Sequence, residues 1–307
     1  MPRSRTIVWA AAALVALLGV RPAVAERTVA ITIDDLPRGG DGGARDLDSV
    51  LEMTERLLRP FRGGEIPVAG FVNAGRLPEW SSDDLSRILD LWLDAGAELG
   101  NHSYSHPNIN EVPLEAYTAD ITRGEPALRS ALEARGRKLR YFRHPFLRTG
   151  STAEVKRAMQ AFLDAAGYEV APVTIDNAEY LYAALYTTPS HRARARREYV
   201  AYMESVVAFF VRRARDVVGR DIPQILLIHA NALNADLMPE LLKMFRDRGY
   251  AFVSLEAALA DPVYREPDPY VGGRGVSWIH RYGIGRGLDI EWEPDPPDWA
   301  IEAFRTR

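Results

Sequence analysis

The chain contains no cysteine. Disulfides, Cys-ligated zinc, a thiol nucleophile and a lipid-modified N-terminal cysteine are therefore excluded. Any metal must be held by His, Asp, Glu or backbone oxygen. An excess of positive charge is missing too: 38 Lys and Arg face 42 Asp and Glu, a net charge of −4. A nucleic-acid binder needs phosphate-neutralising Lys and Arg in excess, so that class is set aside. No Gly-x-Gly-x-x-Gly follows the first apolar run and no phosphate-loop lysine occurs, so a nucleotide-binding sheet lacks its signature. The composition, with 47% hydrophobic and 26% charged residues, is that of a soluble globular chain and excludes disordered, collagen-like and coiled-coil classes.

One long apolar run is present, from Ile7 to Val20, and it is 14 residues long. Arg3 and Arg5 precede it and Ala23-Val24-Ala25 follow. A bilayer span needs about 20 residues. The pattern predicts a secretory signal peptide over residues 1–25, cleaved after Ala25, and an exported, periplasmic or secreted protein with no membrane span in the mature chain. Those residues hold three arginines and no acid, so the mature chain is three charges more negative than the whole.

From residue 26 the sequence alternates. Short β-branched apolar runs at 29–33, 68–74, 98–102, 139–143, 170–176, 224–230 and 251–255 predict seven strands. Helical periodicity at 44–58, 83–95, 114–134, 152–165, 193–218 and 236–248 fills the intervals, with Gly96, Gly167 and Gly249 as stop signals. This alternation predicts an α/β fold, a deformed (β/α) barrel of about seven parallel strands over residues 26–260. Residues 261–307, with six prolines and six glycines, read as an ordered C-terminal extension packed on the barrel. Trp278, His280, Trp292 and Trp299 would anchor it.

In a parallel barrel the C-terminal strand ends carry the chemistry, and polar clusters fall there five times. The first strand runs into Asp34-Asp35. Neighbouring strand residues point to opposite faces, so both carboxylates serve one site only if the strand ends there. The third strand ends in His102, followed by His106 at i+4, a spacing that lets two imidazoles grip one metal. Two His and one carboxylate leave open positions for water and substrate. The fourth ends in Arg143-His144-Pro145-Phe146, the fifth in Asp176-Asn177-Ala178-Glu179-Tyr180 and the sixth in His229.

The order Thr32-Ile33-Asp34-Asp35, His102-x-x-x-His106, Arg143-x-Pro145-Phe146, Asp176-x-x-Glu179-Tyr180 and Leu226-x-Ile228-His229 resembles the polysaccharide deacetylase family, the NodB homology domain of carbohydrate esterases. The resemblance covers about residues 28–258. It implies a deformed (β/α) barrel that removes acetyl groups from N- or O-acetylated glycans with a divalent metal, often Zn²⁺. It further implies Asp35, His102 and His106 as metal ligands and Asp34 as the general base toward a metal-activated water. Arg143 would hold Asp34, Glu179 would orient Arg143, and His229 would act as the acid. The Phe146 N–H would help stabilise the oxyanion, and Leu227 would wall the acetyl pocket. Three features depart from the family's pattern: Glu179-Tyr180 where Asp-Trp is common, Leu147 where a Gly often follows the Phe, and the extension. Trp278 or Tyr270 would either cover the barrel mouth and stack on a sugar or serve as a structural plug. Two other classes fit the same residues: a metal-dependent amidase for a small non-glycan substrate, and a glycan-binding module without turnover.

Overall fold

A computed structural model describes residues 27–307 apart from position 78. The segment read as a signal peptide lies outside the described residues. Seven parallel strands form one curved sheet: β1 (Arg27–Leu36), β2 (Val68–Val72), β3 (Glu98–Asn101), β4 (Tyr141–Phe142), β5 (Glu169–Val170), β6 (Gln224–His229) and β7 (Tyr250–Phe252). Their order is β5-β4-β3-β2-β1-β6, with β7 paired to the start of β1. Past β5 the chain swings across to β6 and bridges it at Ile175–Leu226. The result is a half-barrel enclosed by helices, the (β/α) barrel-like fold that the alternating pattern predicts.

β1 is the central staff of this barrel. It pairs with β2 on one side and β6 on the other, so Val29, Ile31, Ile33 and Leu36 are all buried. That is why its sequence is apolar without alternation. Gly70 on β2 lets the sheet meet its covering helix closely. A Cβ there would stand 2.8 Å from Leu36 and 3.0 Å from Trp92, which is fully buried.

The helices pack outside. α1 (Leu47–Leu58) starts at Asp46, whose side chain accepts from Ser49 N, and α2 (Ser82–Asp94) starts with a reciprocal Ser81–Asp84 capping box. α3 (Leu114–Glu133) and α4 (Ala153–Ala165) follow, the second capped by Thr152. Gly96, Gly167 and Gly249 stand just past helix ends with φ of 83°, 76° and 73°, as the stop signals require. α5 (Glu179–Tyr186) is almost wholly buried; α6 (Pro189–Val218) and α7 (Ala232–Asp247) complete the predicted helices, and α8 (Leu255–Leu259) follows β7.

The C-terminal stretch adds α9 (Trp278–Gly285) and α10 (Asp298–Arg305). Trp278 donates its backbone N–H to Val173 O at 2.6 Å and stacks on Tyr282 at 3.8 Å between ring centres. It is 6% exposed, and Tyr270 is 7% exposed. Both are buried and neither lines the cavity at the ends of β1, β3 and β6, which favours the structural alternative over the sugar platform; Trp278 instead lines a separate cavity of about 740 Å³ beside β5. Apolar side chains this large are worth more buried than presented to water.

Candidate active site

The site forms where β1, β3, β4 and β6 end. β1 does not stop at Ile33, as the sequence suggests, but continues to Leu36 through an irregularity in its pairing with β2 between Ile33 and Leu36. Asp35 sits inside that irregularity with φ 64°, a left-handed backbone. The kink turns Asp35 back toward the face that Asp34 already shares, so two adjacent carboxylates serve one cavity without ending the strand. Ser103, His106, Phe146 and Leu147 also have positive φ, at 70°, 59°, 55° and 54°. Among the described residues, all five such non-glycine residues lie at or beside this site, where strain is held by the surrounding structure.

Asp35, His102 and His106 offer one ligand atom each within 4.8 Å of one another. Asp35 Oδ1 stands 3.6 Å from His106 Nε2 and 3.8 Å from His102 Nε2. That oxygen is buried and accepts no hydrogen bond from the protein. The other oxygen, Oδ2, accepts from Arg76 Nη2 at 2.8 Å. His102 Nδ1 donates to the Arg143 carbonyl oxygen at 2.8 Å, which fixes the tautomer and leaves Nε2 as a lone pair aimed at the group. Ser103 Oγ accepts the His106 N–H and locks the tight turn that brings the second imidazole round. Burial holds both histidines below their usual pKa, His102 strongly, so both imidazoles are neutral. Burial pushes Asp35 toward the neutral acid, but the Arg76 guanidinium together with the neighbouring His106, His229 and His102 outweighs it and keeps the carboxyl below the usual range. Two neutral imidazoles, an ionised carboxylate and an orphaned buried oxygen fit a divalent cation.

Asp34 and His229 flank the triad. They are register partners on β1 and β6. Arg143 Nη1 reaches both carboxylate oxygens of Asp34 at 3.2 Å. Its Nε donates to Ala171 O at 2.7 Å and its Nη2 to Thr32 Oγ1 at 3.1 Å. Burial raises the Asp34 pKa to about 6 against the pull of Arg143. For His229, burial disfavours the charged ring, yet the hydrogen bond and charge of Glu179, with the charges of Asp35 and Asp34, overcome it and carry the pKa to about 9.

Glu179 is placed differently from the expectation. It does not orient Arg143. Its Oε2 accepts from His229 Nδ1 at 2.7 Å, while Oε1 accepts from Asn234 Nδ2 at 2.9 Å and from Asn231 Nδ2. Arg143 is already satisfied by Asp34, Thr32 and Ala171, which leaves the fully buried Glu179 to serve the histidine. Asp176, the other acid of that segment, is half-buried, and the desolvation of its carboxyl raises its pKa to about 7.

Sequence reasoning brought together Asp34, Asp35, His102, His106, Phe146, Leu227 and His229, and all seven line one cavity of about 440 Å³. It missed Arg76, Asn231 and Asn234. Arg76 lies in a loop without a motif; Asn231 caps α7 by accepting from Asn234 N at 2.9 Å. The Phe146 ring packs edge-on against His106 at 4.4 Å and is 51% exposed. Tyr180, 53% exposed, lines the same cavity. Among the described residues no protein acceptor takes the Phe146 N–H.

The family model described as polysaccharide deacetylase matches residues 21–170. A search of curated proteins gives no match. Among solved structures, the chain is similar to a mutant of BA3943, described as a CE4 family pseudoenzyme with restored enzymatic activity, whose wild type is from Bacillus anthracis. It shares 18% identity over 77% of this chain and 69% of that chain, with a TM-score of 0.50. A family 4 carbohydrate esterase from Streptomyces lividans in complex with acetate shares 18% identity over 76% of this chain and 95% of that one, at a TM-score of 0.47. Peptidoglycan deacetylase PdaC from Bacillus subtilis shares 18% over 78% and 95%, at 0.46. At such identities the likeness concerns the fold.

Proposed function

Because residues 21–170 match the polysaccharide deacetylase family model, we propose that the chain is a metal-dependent hydrolase that removes acetyl groups from an acetylated glycan outside the cytoplasm. The observation that carries this reading is the buried, unpartnered Oδ1 of Asp35 facing the two histidine Nε2 atoms, with Asp34 and His229 on the same cavity. Asp35, His102 and His106 would hold the ion, and this N/O donor set without thiolate suits Zn²⁺. A divalent ion there supplies Lewis-acid polarisation of the acetyl carbonyl and acidification of water.

The remaining work belongs to the chain's own side chains. Asp34, held by Arg143, takes the proton of the attacking water; a base with a pKa of about 6 is largely ionised at neutral pH yet still accepts a proton. The free Phe146 N–H is available to the oxygen that gathers charge as the carbonyl becomes tetrahedral. His229 gives its Nδ1 proton to Glu179 in a hydrogen bond, which leaves the Nε2 proton for the departing amine or alcohol. Its pKa of about 9 keeps that proton in place at neutral pH. Leu227 is the apolar wall beside His229. Exposed aromatic rings of Phe146 and Tyr180 at the cavity support a sugar substrate over a small closed-pocket amide, since ring faces stack on pyranose C–H surfaces.

Asp34→Asn tests the reading. Acetate release from an acetylated glycan falls by about 10²–10⁴-fold, while calorimetric titration with Zn²⁺ gives the wild-type affinity. A variant that turns over at the wild-type rate would show that Asp34 is not the base.

A further inference from the structure

Phe146 and Leu147 are consecutive left-handed residues, at φ 55° and 54°. Neither is glycine or asparagine, so the turn is disfavoured on its own. Its internal hydrogen bonds are few: Leu147 N to His144 O at 3.0 Å and Arg148 N to Pro145 O at 3.1 Å. What holds it comes from more than 120 residues downstream.

Arg281 on α9 is buried and reaches into this turn. Its Nη1 donates to Leu147 O at 3.2 Å and its Nη2 donates to Thr149 Oγ1. Nε donates to Asp268 Oδ2 at 3.0 Å, and Lys156 of α4 meets the same oxygen at 2.8 Å. Lys156 Nζ also donates to the carbonyls of Asp268 and Tyr270, at 2.7 and 2.6 Å. Arg281 is therefore fixed at both ends, and its planar fork suits two acceptors on one loop. Gly275 closes the turn from another side: a Cβ built there would fall 1.7 Å from Phe146 O and 2.9 Å from Phe146 C. Only a residue without a side chain permits this approach.

We propose that Gly275 and Arg281 are positioning residues for hydrolysis: together they hold the Phe146–Leu147 backbone so that the Phe146 N–H points at the acyl oxygen. The inference rests on the deacetylase reading above. It assigns the C-terminal stretch a part in the reaction step rather than in sugar stacking. Neither residue touches substrate; both act through the turn.

The test compares wild type with Gly275→Ala, Arg281→Met and Arg281→Lys, and with Leu288→Ala as an exposed control from the same stretch. Acetate release should show kcat lowered by about 10- to 100-fold in the first two, less than the roughly 10²–10³-fold for a removed oxyanion donor because the N–H is misaimed rather than lost. KM and Zn²⁺ affinity stay within about twofold of wild type. Arg281→Lys fails to restore kcat because an ammonium cannot fork, and Leu288→Ala behaves as wild type. Hydrogen exchange, which needs no turnover, should quicken across residues 144–149 in Gly275→Ala and Arg281→Met. Unchanged kcat with unchanged exchange overturns the proposal, as does a loss carried by KM or by Zn²⁺ affinity. A wild-type protein that releases no acetate overturns the deacetylase reading instead, and exchange at 144–149 then still decides whether these residues hold the turn.

Discussion

Glu179→Gln separates the electrostatics of this site from its packing. Gln has the same shape, and its carbonyl oxygen can still accept from Asn231 and Asn234 as Glu179 Oε1 does. Its amide nitrogen then faces His229 Nδ1 as a donor, where the carboxylate accepted at 2.7 Å. A donor there favours the neutral imidazole with Nδ1 bare and removes the negative charge that lifts the ring. The His229 pKa, about 9 in the wild type, should return toward or below the ordinary 6.5. If the protonated ring is the acid, the active fraction at pH 8 falls from about nine-tenths to about three-hundredths, near 30-fold, while at pH 6 the two proteins differ by less than about twofold. The sign for stability follows from the same shift. A raised folded-state pKa stabilises the fold fully below about 6.5, and that contribution fades as pH rises through about 9. The gap in Tm between wild type and variant therefore narrows at alkaline pH. The assay is kcat/KM for acetate release from pH 5.5 to 10. An alkaline limb at the same pH in both proteins would refute the Glu179–His229 couple.

Other outcomes follow from the same geometry. His106→Ala and Asp35→Asn each remove one ligand of three and should weaken Zn²⁺ binding by at least about 100-fold in calorimetric titration. Tyr180→Ala removes an exposed ring from the cavity and should raise KM for a polymeric glycan about 3- to 10-fold, with kcat and hydrolysis of a small acetyl ester nearly unchanged; equal KM would show that the ring does not meet the sugar. Trp92→Ala empties a fully buried site against Gly70 and Leu36 and should cost about 3–5 kcal/mol in urea unfolding.

The barrel was legible because its strands are buried on both faces, which turns each into an unbroken apolar run ending abruptly in polar residues. The run at 224–230 and its terminal His229 are such a case. The bulge at Asp35 was not legible, because nothing in Asp-Asp-Leu-Pro marks one aspartate as left-handed. β4 and β5 have two residues each where longer strands were expected, since 139–143 and 170–176 contain apolar residues that pack without pairing. α5 escaped notice because Glu179–Tyr186 is buried nearly all round and so lacks a polar stripe to give it a period. The partner of Glu179 was misread for a different reason: Arg143 and His229 both lie near that acid's segment, and only the three-dimensional filling of Arg143's donors decides between them. For Trp278 the sequence left a sugar platform and a structural plug both open, and its burial favours the second.

The most direct test of a metal-dependent deacetylase is acetate release from a panel of acetylated glycans by the protein as isolated, after chelation, and after adding back Zn²⁺. Release that stops on chelation and returns with the ion is the predicted result. Release that persists through chelation, or no release from any glycan by protein shown to hold its metal, would contradict it.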